Sequence, residues 1–157
     1  MKSFSIQKPD YFIRTLRPDH QESVQTLLVK CSDYYLLVDG ETCSPIAAEK
    51  LYNATPPGKS LKEKFLYGIW QKTGEIIGVL EGMRNYPTES VWWIALFMLN
   101  PTLRGQGLGR EIIEGFIEFT RVDNGKTIML GVVEDNKSAL FFWEKLGFNI
   151  VRQTEPR

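Results

Sequence analysis

Arg104, Gly105, Gln106, Gly107, Leu108, Gly109 and Arg110 put three glycines and two guanidinium groups into seven residues, directly ahead of a helical pattern. The first backbone N–H groups of a helix have no internal partner and carry the positive end of its dipole, so an anion placed there meets several donors at once. Side chains at Gly105, Gly107 and Gly109 would shield those donors or forbid a left-handed turn, while Arg104 and Arg110 can add charge-assisted hydrogen bonds to phosphate. A diphosphate suits such a loop. A glycine-rich turn that binds nothing fits the same residues, and the loop alone leaves both readings open. A second group stands out by position. In "EIIGVLEGMRN", Glu81 alternates with Ile77, Val79 and Met83, a setting that would desolvate its carboxylate and raise its pKa toward the range useful for a base. The alternative is an edge or bulge position at Gly82, where Glu81 reaches water or pairs with Arg84.

Two common phosphate motifs fail on this sequence. The dinucleotide fingerprint G-x-G-x-x-G breaks at Arg110, where the third glycine should stand, and the earlier glycine of a P-loop ending in "PPGKS" would fall on Asn53. "PPGKS" therefore reads as a turn.

The elements around the loop are legible in outline. "SVWWIALFML" (90–99) and "KTIMLGVV" (126–133) are apolar on both alternating faces and read as strands of a sheet interior. Between them Leu108, Ile112, Ile113, Phe116 and Phe119 recur at three- and four-residue spacing opposite Arg110, Glu111, Glu114, Glu118 and Arg121, which predicts an amphipathic helix. Strand, helix, strand is a βαβ unit with parallel strands, and its first loop lies at the carboxyl edge of the sheet, where open α/β folds place ligands. Upstream, "YFIRTLR" (11–17) reads as a strand. Pro18 and Asp19 open a helix to about Lys30, with Asp19 as a cap, and a second helix covers 44–52. Lys72, Thr73 and Gly74 split "KFLYGIWQKTGEIIGVLEGMRN" into a hairpin. Trp92 and Trp93 point to opposite faces of their strand.

A chain of 157 residues with 43% hydrophobic content suits one domain, 1–157. Its formal net charge of zero gives no long-range pull toward nucleic acid or an anionic membrane. The polar first ten residues and the absence of a long apolar run point to a cytoplasmic protein. With two cysteines, Cys31 and Cys43, and one histidine, His20, a zinc site of several Cys and His ligands cannot be built, and no metal is expected.

Arg104 to Gly109 also fit Q/R-x-x-G-x-G/A, and "EDNKSALFFWEKLGF" follows with Asn136, Ala139, Phe142, Trp143, Lys145, Gly147 and Phe148 in the pattern N-x-x-A-x-x-F-[YW]-x-K-x-G-F. The pair resembles the acyl-CoA signature of the GNAT N-acetyltransferase superfamily over 90–151, and "CSDYYLLVDG" and "PPGKSLKEKF" are similar to segments of uncharacterised bacterial members. The resemblance implies a mixed α/β GNAT fold, with acetyl-CoA as the cofactor and an acetyl group passed to a primary amine, here on a small molecule. A protein acceptor, or a silent acyl-CoA-binding or sensing module, are the alternatives. It further implies that β-strand backbone at Phe97, Met98 and Leu99 splays from its parallel neighbour to meet pantetheine, that Arg104 to Arg110 hold the diphosphate, and that Asn136 contacts pantetheine besides capping a helix. Trp143 stands where many members carry the Tyr that protonates the leaving thiolate, and Gly131 stands where some carry a Glu base. An indole N–H donates a hydrogen bond but delivers no proton at neutral pH. Glu81 and Tyr34 are then the catalytic candidates, and Asp33, Tyr35 and Trp93 the acceptor contacts, with Asp33 to Tyr35 on the loop between the first two helices. The resemblance also leads to an expectation of two final strands, for which "FNIVRQTEPR" supplies one, and the open edge left over suggests a homodimer.

Overall fold

The structure is a computed structural model and describes residues 3–155. Five strands form one sheet in sequence order: β1 (Tyr11–Thr15), β2 (Lys64–Gln71), β3 (Ile76–Arg84), β4 (Val91–Leu99) and β5 (Thr127–Leu130). Neighbours are antiparallel from β1 to β4, whereas β4 and β5 are parallel and joined through a helix. Helices α1 (Gln21–Lys30), α2 (Ser32–Asp39) and α3 (Ala47–Asn53) belong to one face, and α4 (Leu108–Val122) and α5 (Lys137–Lys145) to the other.

Alternation in the strands divides the core in two. Phe65, Tyr67 and Ile69 of β2 join Ile112, Ile113 and Phe116 of α4, while Leu66 and Trp70 join Val24, Leu27 and Leu28 of α1 and Ala48 of α3. The expected hairpin is present, turning at Gly74, which takes a left-handed φ of 99°. The apolar stripe of α4 faces the sheet as its spacing requires, with Leu108, Ile112, Ile113 and Phe116 buried.

Five expectations need correction. Pro18–His20 form a 3-10 turn before α1, and Asp19 does not cap it; its carboxylate accepts from the Arg17 guanidinium, and His20 Nδ1 accepts from Arg17 N instead. The segment read as a loop between two helices is itself α2, closed by Gly40 in the left-handed region. The next helix, α3, begins at Ala47 rather than Ser44. β5 is a four-residue edge strand, not an interior one, among the described residues. No strand forms in 148–155; Pro156 and Arg157 of the expected final strand lie outside the described residues.

The register between β3 and β4 skips a residue: Glu81 pairs with Leu96 and Gly82 with Ile94, leaving Ala95 without a partner in β3. Such a bulge inverts the alternation that follows it. Trp92 and Ile94 pack with α4, but beyond Ala95 that face passes to Phe97 and Leu99, and Leu96 and Met98 turn toward α1 and α3. Gly82 is required here, since a Cβ would collide with the Trp93 carbonyl. On the other edge of β4 the pairing with β5 ends at Ile94 and Leu130. On that edge Ala95 to Leu99 therefore run on with no strand beside them, while Leu96 to Leu99 stay paired with β3 on the other, and Ala95 is exposed in an otherwise well-covered strand.

Candidate functional site

The gap beyond Ile94 leads directly to the glycine loop. Asn100 follows β4 and caps a 3-10 turn, Pro101–Leu103, by accepting from Thr102 N at 3.1 Å. Gly105 and Gly107 then take left-handed φ values of 73° and 84°, with open space where a side chain would project. Gly107 is the N-cap of α4 and supplies no side-chain acceptor. The first helical bond runs from Glu111 N to Gly107 O, so the N–H groups of Leu108, Gly109 and Arg110 precede it and take no backbone acceptor among the described residues. Gly109 serves a different purpose. A Cβ there would come within 3.2 Å of the Phe142 ring and 3.4 Å of Leu99, so it is glycine for close packing and not for a left-handed turn. Gln106 Nε2 donates to Thr102 O and braces the loop, and Arg110 reaches along its own helix to Glu114 at 3.3 Å.

Arg104 is engaged outside the loop. Its Nη1 donates to Asp33 Oδ2 at 2.6 Å, and its Nε donates to Leu99 O at 3.1 Å. The Leu99 carbonyl also accepts from Cys31 Sγ at 3.4 Å. Of the three residues expected to offer backbone to pantetheine, Leu99 thus has its carbonyl committed, while the side chains of Phe97 and Met98 point to opposite cores. The Arg104 hydrogen bond holds the Asp33 carboxyl below its usual range.

On the α1 to α3 side, Glu81 is 6% exposed, and its Oε2 accepts from Lys64 Nζ at 2.7 Å. Lys64 Nζ donates in addition to Ala54 O at 2.8 Å, at the end of α3. The bulge reading of Glu81 is right in position, but its partner is Lys64; Arg84 instead donates to Lys62 O and lies over the Trp92 ring. Burial raises the Glu81 pKa, and the adjacent Lys64 ammonium partly offsets that rise. Tyr34 and Tyr35 sit half-buried on α2 with their rings edge to face at 5.3 Å. Burial also raises the pKa of the Tyr34 hydroxyl, with smaller contributions from the Asp39 and Glu81 charges, so it carries its proton at neutral pH. Trp92 is buried under Phe116 and Phe119; Trp93, on the opposite face, is partly exposed against Tyr86.

Asn136 caps α5, its Oδ1 accepting from Ala139 N at 3.2 Å, which leaves the side-chain N–H groups as donors. Trp143 is 9% exposed, with its ring packed among Phe97, Phe142 and Phe148. Gly147, at φ 97°, closes the helix, and the Phe148 N–H reaches back to Trp143 O. No group of three or more acidic, His or Cys side chains able to hold a metal occurs among the described residues, and no described helix is long and apolar enough to cross a membrane.

A family model for the acetyltransferase (GNAT) family matches residues 24–148. The chain belongs to the GNAT acetyltransferase family. A comparison with curated proteins finds no match. Among solved structures, the GNAT chain is similar to an acetyltransferase from Thermus thermophilus, with TM-score 0.77 and 19% identity over 93% of this chain and 91% of that one. It is also similar to a protein described as a transcriptional regulator from Bacillus halodurans, with TM-score 0.68 and 22% identity over 92% and 97% of the two chains. An aminoglycoside acetyltransferase from an uncultured soil metagenomic sample, solved with sisomicin, has TM-score 0.65 and 14% identity over 93% of each chain. At these identities the likeness is one of fold.

In this GNAT fold the glycine loop follows the end of β4 that β5 leaves unpaired, and the helix that Asn136 caps packs on Phe97 of that end through Phe142 and Trp143, while Glu81, Tyr34 and Tyr35 belong to the α1 to α3 side of the same strands. Lys64 escaped the sequence reading because a lysine opening an apolar strand looks like a solvated end. Ala95 escaped it because a bulge leaves no mark in residue type beyond the nearby Gly82.

Proposed function

We propose that this GNAT protein transfers an acetyl group from acetyl-CoA to a primary amine of a small molecule. The observation that carries the reading is the conjunction of a half-strand, Ala95 to Leu99, left unpaired on its β5 edge, with an uncapped helix N-terminus built from left-handed glycines. The fit rests on the donors left without acceptors and on the space that a Cβ at Gly105 or Gly107 would otherwise occupy. The N–H groups of Gly105 to Arg110 would hold the diphosphate, with Arg110 at the rim. Backbone at Phe97 and Met98 and the Asn136 side-chain N–H groups would hold the pantetheine, and Trp143 supports that wall through Phe97. Acetyl-CoA supplies the acetyl group already activated as a thioester.

What remains for the chain is to position an amine, take its proton and supply one to the departing sulfur. Positioning alone contributes several kcal/mol, up to roughly 7 to 11 in the best-aligned cases. Tyr34, protonated at neutral pH, is the hydroxyl that can donate toward sulfur. Glu81, with its raised pKa, is the carboxylate that can receive the amine's proton, directly or through water. Trp93 and Tyr35 offer aromatic surface to the acceptor. The structure described as an aminoglycoside acetyltransferase in complex with sisomicin shares this fold, so the fold is compatible with a small acceptor.

A second reading, a silent acyl-CoA-binding module, is favoured by one observation: Trp143 is packed in the core and Gly131 has no side chain, so neither position does proton chemistry. Free-thiol release with acetyl-CoA and a panel of primary amines, aminoglycosides and polyamines included, separates the two. Turnover with any amine establishes transfer. Saturable binding with no thiol release across the panel establishes the silent module.

A further inference from the structure

We infer that Arg104 is a positioning residue that hangs α2 on the end of β4, and not a ligand of the cofactor's phosphates. This rests on the reading of the glycine loop as the acetyl-CoA site, because it reassigns one of that loop's two arginines. Three different nitrogens of one guanidinium are engaged: Nε with Leu99 O at 3.1 Å, Nη1 with Asp33 Oδ2 at 2.6 Å, and Nη2 with Asp33 Oδ1 at 3.5 Å. The Leu99 carbonyl at the centre of this fork receives Cys31 Sγ as well, from the residue that joins α1 to α2. A sulfur of Met98, 4.0 Å from Nη2, closes the same side. The fork thus ties together the last residue of β4, the first residue of the glycine loop and the first turn of α2, and it engages three of the five N–H donors with which Arg104 would meet a phosphate.

The position of α2 matters because the residue after Asp33 is Tyr34, followed by Tyr35. The next turn of α2 holds no comparable anchor: Leu36 and Leu37 are exposed, and the helix ends at Gly40. Asp33 lies in the first turn of α2, where a carboxylate also complements the helix dipole. Arg104 is accordingly the link through which the geometry of the cofactor loop reaches the tyrosines on the acceptor side. A lysine cannot replace it. One ammonium presents all its N–H groups from a single nitrogen and cannot span a carbonyl and a carboxylate as a planar fork does.

The test compares the wild type with Arg104→Ala, Arg104→Lys, Asp33→Ala and the double Arg104→Ala/Asp33→Ala. Two readouts are used: the Kd for coenzyme A by calorimetry, and hydrogen exchange of the peptide covering α2. The clamp is expected to leave the Kd within about threefold in every variant. It is expected to speed α2 exchange about tenfold or more in Arg104→Ala and Asp33→Ala alike, with no further increase in the double because both remove one link. Arg104→Lys keeps a positive charge but is expected to exchange like Arg104→Ala. The inference is overturned if Arg104→Ala weakens coenzyme A tenfold or more, Arg104→Lys restores it, and α2 exchange is unchanged in Asp33→Ala; that is the signature of a phosphate ligand. If the wild type itself does not bind coenzyme A, the functional reading fails, and the exchange arm still decides the clamp.

Discussion

Removing Lys64 should be among the most damaging single changes in the chain, and the damage should depend on pH. The Lys64 Nζ to Glu81 Oε2 distance is 2.7 Å, with the side chains 4% and 7% exposed. At an effective dielectric of about 20 the attraction at that separation is roughly 6 kcal/mol, which is offset by several kcal/mol of lost hydration for each ion. The pair as a whole therefore contributes little net stability, but either member left alone retains its burial cost without compensation. Lys64→Met should cost about 3 to 5 kcal/mol near pH 8, a fall in Tm on the order of 6 to 20 °C for a domain of this size. The folded-state pKa of Glu81 already lies above its unfolded value because of burial, and Lys64 is the group holding it down. Without Lys64 it rises further, so the folded state binds the proton more tightly than the unfolded chain does. Stability then falls as pH rises from the unfolded pKa, about 4.3, through the folded one, and the cost of Lys64→Met shrinks as pH falls from 8 toward 5. Glu81→Gln should cost less, since Lys64 keeps its bond to Ala54 O. The double Lys64→Met/Glu81→Leu should return to within about 2 kcal/mol of wild type. Urea denaturation at several pH values measures all three. A Lys64→Met cost below about 1 kcal/mol that does not change with pH would refute the burial of the pair.

The remaining expectations are more local. Gly82→Ala should destabilise by about 3 kcal/mol or more, because its Cβ meets the Trp93 carbonyl; an unchanged denaturation midpoint would remove the bulge. Position 131 has room, since a Cβ would lie 3.9 Å from the Trp93 ring, so Gly131→Glu should fold with a Tm within a few degrees of wild type, and it should raise thiol release with amines if proton removal limits the rate. A collapse in Tm would contradict the space assigned there. The open β5 edge leads us to expect a homodimer, and a monomer mass by light scattering at micromolar concentration would count against it.

Much of the frame was legible because its signals are periodic. The stripe of α4 and the hairpin turning at Gly74 follow from spacing alone, and the strand before the loop is set by its apolar run. What resisted reading has physical reasons. In "SDYYLLVD" apolar residues stand side by side without helical spacing, and α2 is held by Arg104 from 71 positions away. The sequence showed two arginines beside three glycines but not which way each guanidinium would turn, because that choice is made by Asp33 and Leu99 and not by the loop. The Glu81 carboxylate was legible as out of pattern, whereas its partner was not. Lys64 meets it only once β2 and β3 are in register, at Leu66 and Glu81, with Lys64 opposite Met83. β5 looked interior because its residues are apolar on both faces; its pairing stops after four residues and leaves the gap that the proposed site needs.

The most direct test of the central claim is the thermal shift of the wild type and of Gly107→Glu with acetyl-CoA. At φ 84° any side chain strains position 107, by about 1 to 2 kcal/mol, and a carboxylate there adds negative charge where the diphosphate would lie. Acetyl-CoA at about 100 times its Kd should stabilise the wild type by about 2.7 kcal/mol, a rise of roughly 5 to 10 °C, and should leave a folded Gly107→Glu unmoved. An equal rise in both proteins, or none in the wild type at saturating ligand, would contradict the assignment of the glycine loop as the acetyl-CoA site.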